Sequence, residues 1–277
     1  MSLNNKAMIV TLNVSCWTAR KQDKKVSAEV DSAHNAQNAG RYNKLLIDKG
    51  YLDPLSSFAN KVRQYHYKMT LPWMDNGGRL LPSKLFMEYR NEMDSLRSQY
   101  EQLVRTFIKA YDGHLVQDAR MRLGTLYEPE DYPPGSDLWS KFSIDLDIMP
   151  VPDAADFRVD VAESEISRIR EEIATNVAQR QRKAMDDAWA RVRDVVQTIE
   201  LRLSAPKPVI RDSLIDNAKE LTTLLPSLNV IDDPVMAEVA HEITHNLLVD
   251  VWTLRNSLTA RNKVAQAAKK ILEKIPA

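Results

Sequence analysis

The residues with the clearest chemical potential are His241-Glu242-Ile243-Thr244-His245. On a helix, His-Glu-x-x-His sets two imidazoles on one face, one turn apart. They can hold a zinc ion while the glutamate activates a metal-bound water. A catalytic zinc needs a third protein ligand. Asp250 follows His245 by five residues, and Glu273 follows it by 28, across a turn. No third histidine follows the pair. A zinc-dependent hydrolase would therefore use His241, His245 and Glu273 as ligands and Glu242 as base. The plainer reading is preferred, because two ligands one turn apart bind zinc weakly on their own. The opposite face of the same helix, with Met236, Ala240, Ile243, Leu247, Val251 and Leu254, is a full core stripe. Leu248 and Trp252 share the histidine side, so both histidines are expected at a helix–helix boundary, with no metal and no cofactor.

Other constellations are weaker. Cys16 is the only cysteine, so neither an internal disulfide nor a thiolate cage can form. It sits on an expected strand and reads as a buried thiol. Trp17, Tyr65, Tyr67 and Trp73, interleaved with Lys61, Arg63 and Lys68, are able to stack single-stranded bases, but core packing is the commoner fate of such residues. Arg180, Arg182 and Lys183 form a wholly polar stretch of a long helix with Gln179 and Gln181. They are the candidate interaction residues, for phosphate or another protein. The bland reading is a solvated bridge between two packed ends.

The elements that must position these residues are mostly helices. All seven glycines lie between Gly40 and Gly135, so the second half cannot build a glycine-rich phosphate loop. From Glu163 to about Ser204 neither proline nor glycine interrupts, which predicts a helix of about 60 Å. Ile166, Ile169, Ile173 and Val177 form one seam on it. Met185, Ala188, Trp189, Val192, Val196, Ile199 and Leu203 form another. Helices are also expected at Asp53–Lys68, Leu115–Tyr127, Asp212–Leu225, Pro234–Arg255 and Ser257–Ile275. Ser83 opens one whose seam, Leu85 to Tyr111, repeats at alternating four and three like a coiled coil. Gly113 is expected to stop it.

Period-two alternation predicts strands at Ala7–Thr18, Ser143–Ile148 and Phe157–Val161, the first pairing with one of the others. Leu71–Pro82 reads as a loop. The fold class is mainly α: a long-helix bundle with a small β-sheet element built from the N-terminal and middle segments. Residues 1–162 read as a mixed α/β region and 163–277 as all-helical, or both as one continuous domain.

Charges balance, 38 against 38, which disfavours a bulk nucleic-acid binder. Residues 1–70 carry 11 basic and 5 acidic side chains (11 − 5 = +6), and residues 71–162 carry 10 and 16 (10 − 16 = −6). The matched excesses suggest that the basic third docks on the acidic middle. No stretch reaches the length of a membrane span.

The order Val14-Ser15-Cys16-Trp17-Thr18-Ala19-Arg20-Lys21, Lys44-Leu45-Leu46-Ile47, Thr70-Leu71-Pro72-Trp73, Gly77-Gly78-Arg79-Leu80-Leu81-Pro82, Met149-Pro150-Val151-Pro152 and Asp156-Phe157-Arg158-Val159 resembles an uncharacterised domain family of bacteriophages and prophages. Genes of that family are often seen near those of MoxR-type AAA+ ATPases and von Willebrand A-like proteins. The resemblance implies a phage origin, the cytoplasm of the infected bacterial host, and an AAA+ ATPase as partner. It supplies no catalytic residue. The expected function is a non-enzymatic interaction or assembly protein, helical and homo-oligomeric. The alternatives are the zinc hydrolase and a DNA-associated protein of phage replication or recombination.

Overall fold

Alternating apolar residues near the start of the chain form β1 (Ala7–Ser15), three residues shorter than the sequence pattern. The structure, a computed structural model, describes residues 3–156 and 162–276. The strand expected at 157–161 lies outside the described residues. The one expected at Ser143–Ile148 is β6 (Ser143–Pro150), and it lies beside β1 as anticipated.

The segment read as a loop, Leu71–Pro82, carries two strands, β4 (Leu71–Pro72) and β5 (Gly78–Pro82). The sheet order is β4-β5-β1-β6, with β5 antiparallel to β1 from Ala7↔Pro82 to Thr11↔Gly78. The prolines that suggested a loop sit where a sheet tolerates them. Pro72 is on the edge strand, and Pro82 ends its own. Gly77, at φ +94°, makes the turn between β4 and β5.

Two compact units divide the chain, and neither is continuous in sequence. One comprises Met1–Thr11, Tyr67–Tyr89 and Asp147–Ala277, and the other Leu12–His66 and Arg90–Leu146. The sequence suggests a single boundary near 162.

The first unit is dominated by α6 (Glu163–Ser204), α7 (Ser213–Leu228), α8 (Pro234–Asn246), α9 (Val251–Asn256) and α10 (Leu258–Lys274). The second half of α6 packs on α7 and α10, and α8 packs on both of these. Ala184, Met185, Ala188, Trp189, Val192, Val196, Ile199 and Leu203 are its buried stripe. Asp233 caps α8 by accepting from the Val235 and Met236 amides, with Pro234 at the first helical position. The helix expected to run unbroken from Pro234 to Arg255 stops at Asn246. Asp250 then accepts from the Thr253 amide at 3.0 Å and starts α9. Ser257 caps α10 in the same way.

The second unit holds a two-stranded antiparallel ribbon, β2 (Arg20–Asp23) with β3 (Tyr42–Leu45), bridged by α1 (Lys24–Ala33). Asp23 caps α1 by accepting from the Lys25 and Val26 amides. Most of α2 (Lys49–Met69) and α3 (Phe86–Ala110) belong here, together with α4 (Val116–Leu123) and α5 (Gly135–Leu138). The α2 helix begins one turn before the position that Pro54 suggests. Gly113 does not stop the helix that it follows: Tyr111–Leu115 forms a π turn leading directly into α4.

The core of this unit is aromatic. Tyr100 stacks on Phe58, and Phe142 meets both Tyr100 and Phe107 edge-on. Trp17, half-buried, meets Phe107 and Tyr111 edge-on. Seven of the eight α3 seam positions are buried; Leu103 is half-buried and its neighbour Val104 takes its place. The coiled-coil-like seam is thus covered by its own chain and leaves no stripe for a second copy.

Candidate functional site

His241 and His245 lie one turn apart on α8, as their spacing predicts, with ring centroids 3.9 Å apart. Both are exposed, which corrects the expectation of a helix–helix boundary. Trp252, expected to be buried on that side, is 71% exposed. The stripe on the other face of α8 already anchors the helix. Met236, Ile243 and Leu247 are fully buried, so packing does not require the histidine side.

The Nδ1 of His245 is 2.9 Å from the His241 carbonyl oxygen and donates to it. Glu242 points elsewhere: Lys274 of α10 lies 2.6 Å from it and 2.6 Å from Glu238. Both carboxylates and Lys274 form a surface clamp between α8 and α10. Glu273 is exposed on α10, and Asp250 is used as a cap. Among the described residues, no group of three His, Cys, Asp or Glu side chains is placed to hold a metal ion.

The long helix α6 changes character along its length. From Ala184 onward every turn contributes a buried residue. Before it, Ile166, Ile169, Ile173 and Val177 are only half-buried. Ile173 and Val177 border a gap of about 260 Å³ with Leu3, Pro152 and Ala154. The polar stretch lies between the two halves. Arg182 donates to the Ala178 carbonyl, and Lys183 is 3.5 Å from Asp75, itself exposed. Arg180 is half-buried.

A groove runs along the face where α6 meets α7. Its larger section, about 560 Å³, is lined by Val195, Thr198, Arg202, Val209, Arg211 and Leu214, with Asp194, Ser213 and Asn217. A second section of about 400 Å³ shares Val195 and Asn217 with the first and continues past Leu221, Leu224 and Leu228 to Lys68 and Arg191. Beneath it lie Leu214, Leu221, Leu224 and Leu228 of α7, at helical spacing and all buried in the core. Arg202 and Arg211 are both exposed, and neither guanidinium has a partner among the described residues. Nothing in the sequence singles these two out. They flank the Pro206–Pro208 break, and only the turn there brings them to one groove.

A family pattern described as a protein of unknown function, DUF3150, matches residues 4–247 of the chain. The chain belongs to the DUF3150 family. No curated protein and no solved structure matches it.

In this DUF3150 chain the strongest buried charges hold the fold together. Lys44, on β3, is 2% exposed; its ammonium is 2.6 Å from Asp131, 3.2 Å from Glu128 and 3.1 Å from the Leu126 carbonyl. Lys21 of β2 also binds Asp131. Burial pulls the Lys44 ammonium down, but the hydrogen bonds and charges of Asp131 and Glu128 outweigh it and raise its pKa. Burial pushes the Asp131 carboxyl up, and Lys21 and Lys44 reverse this and hold it below the usual carboxylate range. The cluster joins the basic N-terminal third to the acidic middle, the docking that the matched charge excesses suggest.

Proposed function

We propose that this DUF3150 chain is a non-enzymatic interaction or assembly protein that works by docking protein segments in the α6–α7 groove. The observation that carries the reading is the groove itself. Half-buried Val195 and exposed Val209 line it above four buried leucines of α7, and at one end stand two guanidiniums with no partner among the described residues. Grooves of this kind take the apolar face of an amphipathic helix, and the flanking charges set its direction. The resemblance to phage and prophage domains supports a setting in the infected host's cytoplasm, with a MoxR-type AAA+ ATPase as a further partner. Among the described residues, no helix is long and apolar enough to cross a membrane.

The test is co-purification. Full-length protein would be expressed with its neighbouring phage genes, and its assemblies compared with those of the double variant Arg202→Glu, Arg211→Glu. Loss of bound chains in the variant, with an unchanged circular dichroism melt, supports docking in the groove. A variant that retains the wild-type set of bound chains overturns it.

A further inference from the structure

We propose that the ribbon of β2 and β3 binds duplex DNA by lying in its major groove. The surface belongs to the second unit and stands apart from the docking groove, which it does not need. Directly opposite residues of an antiparallel pair share a face, and successive residues alternate between faces. The register Arg20↔Leu45, Lys21↔Lys44, Gln22↔Asn43 and Asp23↔Tyr42 therefore sorts the ribbon into two sides. Lys21, Lys44 and Asp23 share the anchored side, where both lysines pair with Asp131 and Lys44 also with Asp23. Arg20, Gln22, Asn43 and Leu45 make up the other side, and all four are exposed. The helix that joins the strands, α1, buries none of its residues. A helix in a protein gains most of its stability by packing an apolar face. One that covers nothing, beside a bare face of sheet, is explained by a contact made outside the chain.

The bare side carries the side chains that read base edges. Arginine forks onto guanine, and asparagine and glutamine each bond the donor and acceptor of adenine. Leu45 offers the apolar contact that a thymine methyl takes. A major groove about 12 Å wide admits a two-stranded ribbon. This one is about 13 Å long, with strands about 4.8 Å apart. It is also held stiffly. Arg122 of α4 donates to the Leu45 carbonyl at 2.6 Å, and the Tyr132 hydroxyl donates to that of Leu46 at 3.0 Å.

Phosphate contacts are supplied from the end of the ribbon. Lys24 and Lys25 directly follow β2, and Arg41 directly precedes β3, so the three cations stand together at the Asp23–Tyr42 end. With Arg20, all are exposed, and none has a partner among the described residues. Most carboxylates around them are committed. Asp23 caps α1, Asp31 accepts from the Asn38 and Ala39 amides, and Asp48 accepts from that of Gly50. Glu29 of α1 is exposed and offsets one cation. In the segments beside the ribbon, exposed Asp118 and Glu130 face Arg120 and Arg122, two charges of each sign. The surplus at the ribbon is thus positive, as phosphate requires. An acidic protein would suit the cations equally well, but not an arginine, a glutamine and an asparagine gathered on one bare face.

The test is fluorescence anisotropy of full-length protein with a labelled DNA duplex, from about 50 to 200 mM salt. Binding should weaken with a log–log slope near about −3, as three phosphate contacts require. The triple variant Lys24→Gln, Lys25→Gln, Arg41→Gln should lose about tenfold or more at low salt and flatten the slope. Gln22→Ala with Asn43→Ala should keep the slope and lose the sequence preference that wild type shows in selection from a random duplex pool. All five positions are exposed, so folding should survive, and a melt for each variant checks it. Duplex RNA, whose major groove is too narrow for the ribbon, should bind about tenfold more weakly. The docking-groove variant Arg202→Glu, Arg211→Glu should bind DNA as wild type does, so this result is independent of the docking reading. Wild type that fails to bind DNA at low salt overturns the proposal, as does a triple variant that binds as wild type does. Equal binding of duplex RNA, displacement by polyglutamate at equal charge, or selection that enriches no sequence overturns it too, leaving a surface for acidic partners at large.

Discussion

The Arg191 guanidinium donates to the Thr70 carbonyl at 2.7 Å, and the same side chain reaches the carbonyls of Lys68, at 3.0 Å, and Tyr67, at 3.1 Å. The last carbonyls of a helix have no partner within it, so the end of α2 is finished from outside, chiefly by Arg191 of α6, with Arg79 of β5 also donating to the Thr70 carbonyl at 3.1 Å. Asp187, one turn earlier on α6, neutralises the guanidinium at 2.7 Å.

Replacing Arg191 by lysine should therefore not be conservative. One ammonium cannot serve three carbonyls with the fork of a guanidinium. The expected loss is about 1–3 kcal/mol, the cost of leaving part-buried acceptors unsatisfied. Urea unfolding followed by circular dichroism reads it. A variant within error of wild type would show that solvent satisfies these carbonyls equally well.

Lys44 and Asp131 set the acid limit of their unit. Lys44→Ala leaves the Asp131 side chain, fully shielded from solvent, with Lys21 alone, and should cost about 3 kcal/mol. The pH dependence follows from Asp131, whose folded pKa is depressed. Its stabilisation is present above the unfolded value of 3.8 and is lost as pH falls through the lower folded value. Lys44 has a raised folded pKa, so its share is present below 10.5 and lost as pH climbs through the higher folded value. Asp131→Asn should make stability less dependent on pH on the acid side. An acid unfolding curve of unchanged steepness would assign that limit to other carboxylates.

How far this was legible can be seen residue by residue. The long helix α6 was readable because nothing between Glu163 and Ser204 interrupts it, and β1 because its alternation is strong enough to stand without a partner. The β5 strand was hidden, since Gly78-Arg79-Leu80-Leu81-Pro82 carries no alternation of its own and becomes a strand through pairing with β1. The break after Asn246 was masked by an apolar period that runs on through Leu247 and Val251, although Asp250-x-x-Thr253 is a capping signal in retrospect. The α3 seam suggested a partner because the sequence does not show what covers a stripe. The groove was beyond sequence reading altogether: Arg202 and Arg211 belong together only once the prolines have turned the chain.

Three phenols in the second unit should ionise late. Tyr100 donates to the Ser15 carbonyl, Tyr111 to that of Pro133 and Tyr132 to that of Leu46, at 2.9, 2.9 and 3.0 Å. Burial is the main cause that pushes each up, and Tyr132 reaches about 12. A raised folded pKa means that this stabilisation is complete below pH 10 and is lost as pH rises through about 12. Tyr132→Phe should remove one late transition from an ultraviolet titration and cost about 1 kcal/mol in urea unfolding at neutral pH. A titration with the same number of late phenols would contradict the assignment.

The histidines of α8 carry no packing load. Both imidazoles are exposed, and the helix is anchored by Met236, Ile243 and Leu247 on its other face. His241→Ala should therefore leave the melting temperature unchanged to within about a degree, as exposed substitutions usually do. Glu242→Gln weakens a surface clamp in which Lys274 keeps Glu238 at 2.6 Å, so it too should have little effect. Zinc affinity is the sharper measurement. Two imidazoles with no converging third ligand should bind zinc weakly, in the range where a mild chelator strips it, and His245→Ala should lower that affinity further without changing the fold. Tight one-to-one zinc by calorimetry, lost in His241→Ala and retained in Glu242→Gln, would mean that a third ligand converges on the pair, and the hydrolase reading would then displace the docking one.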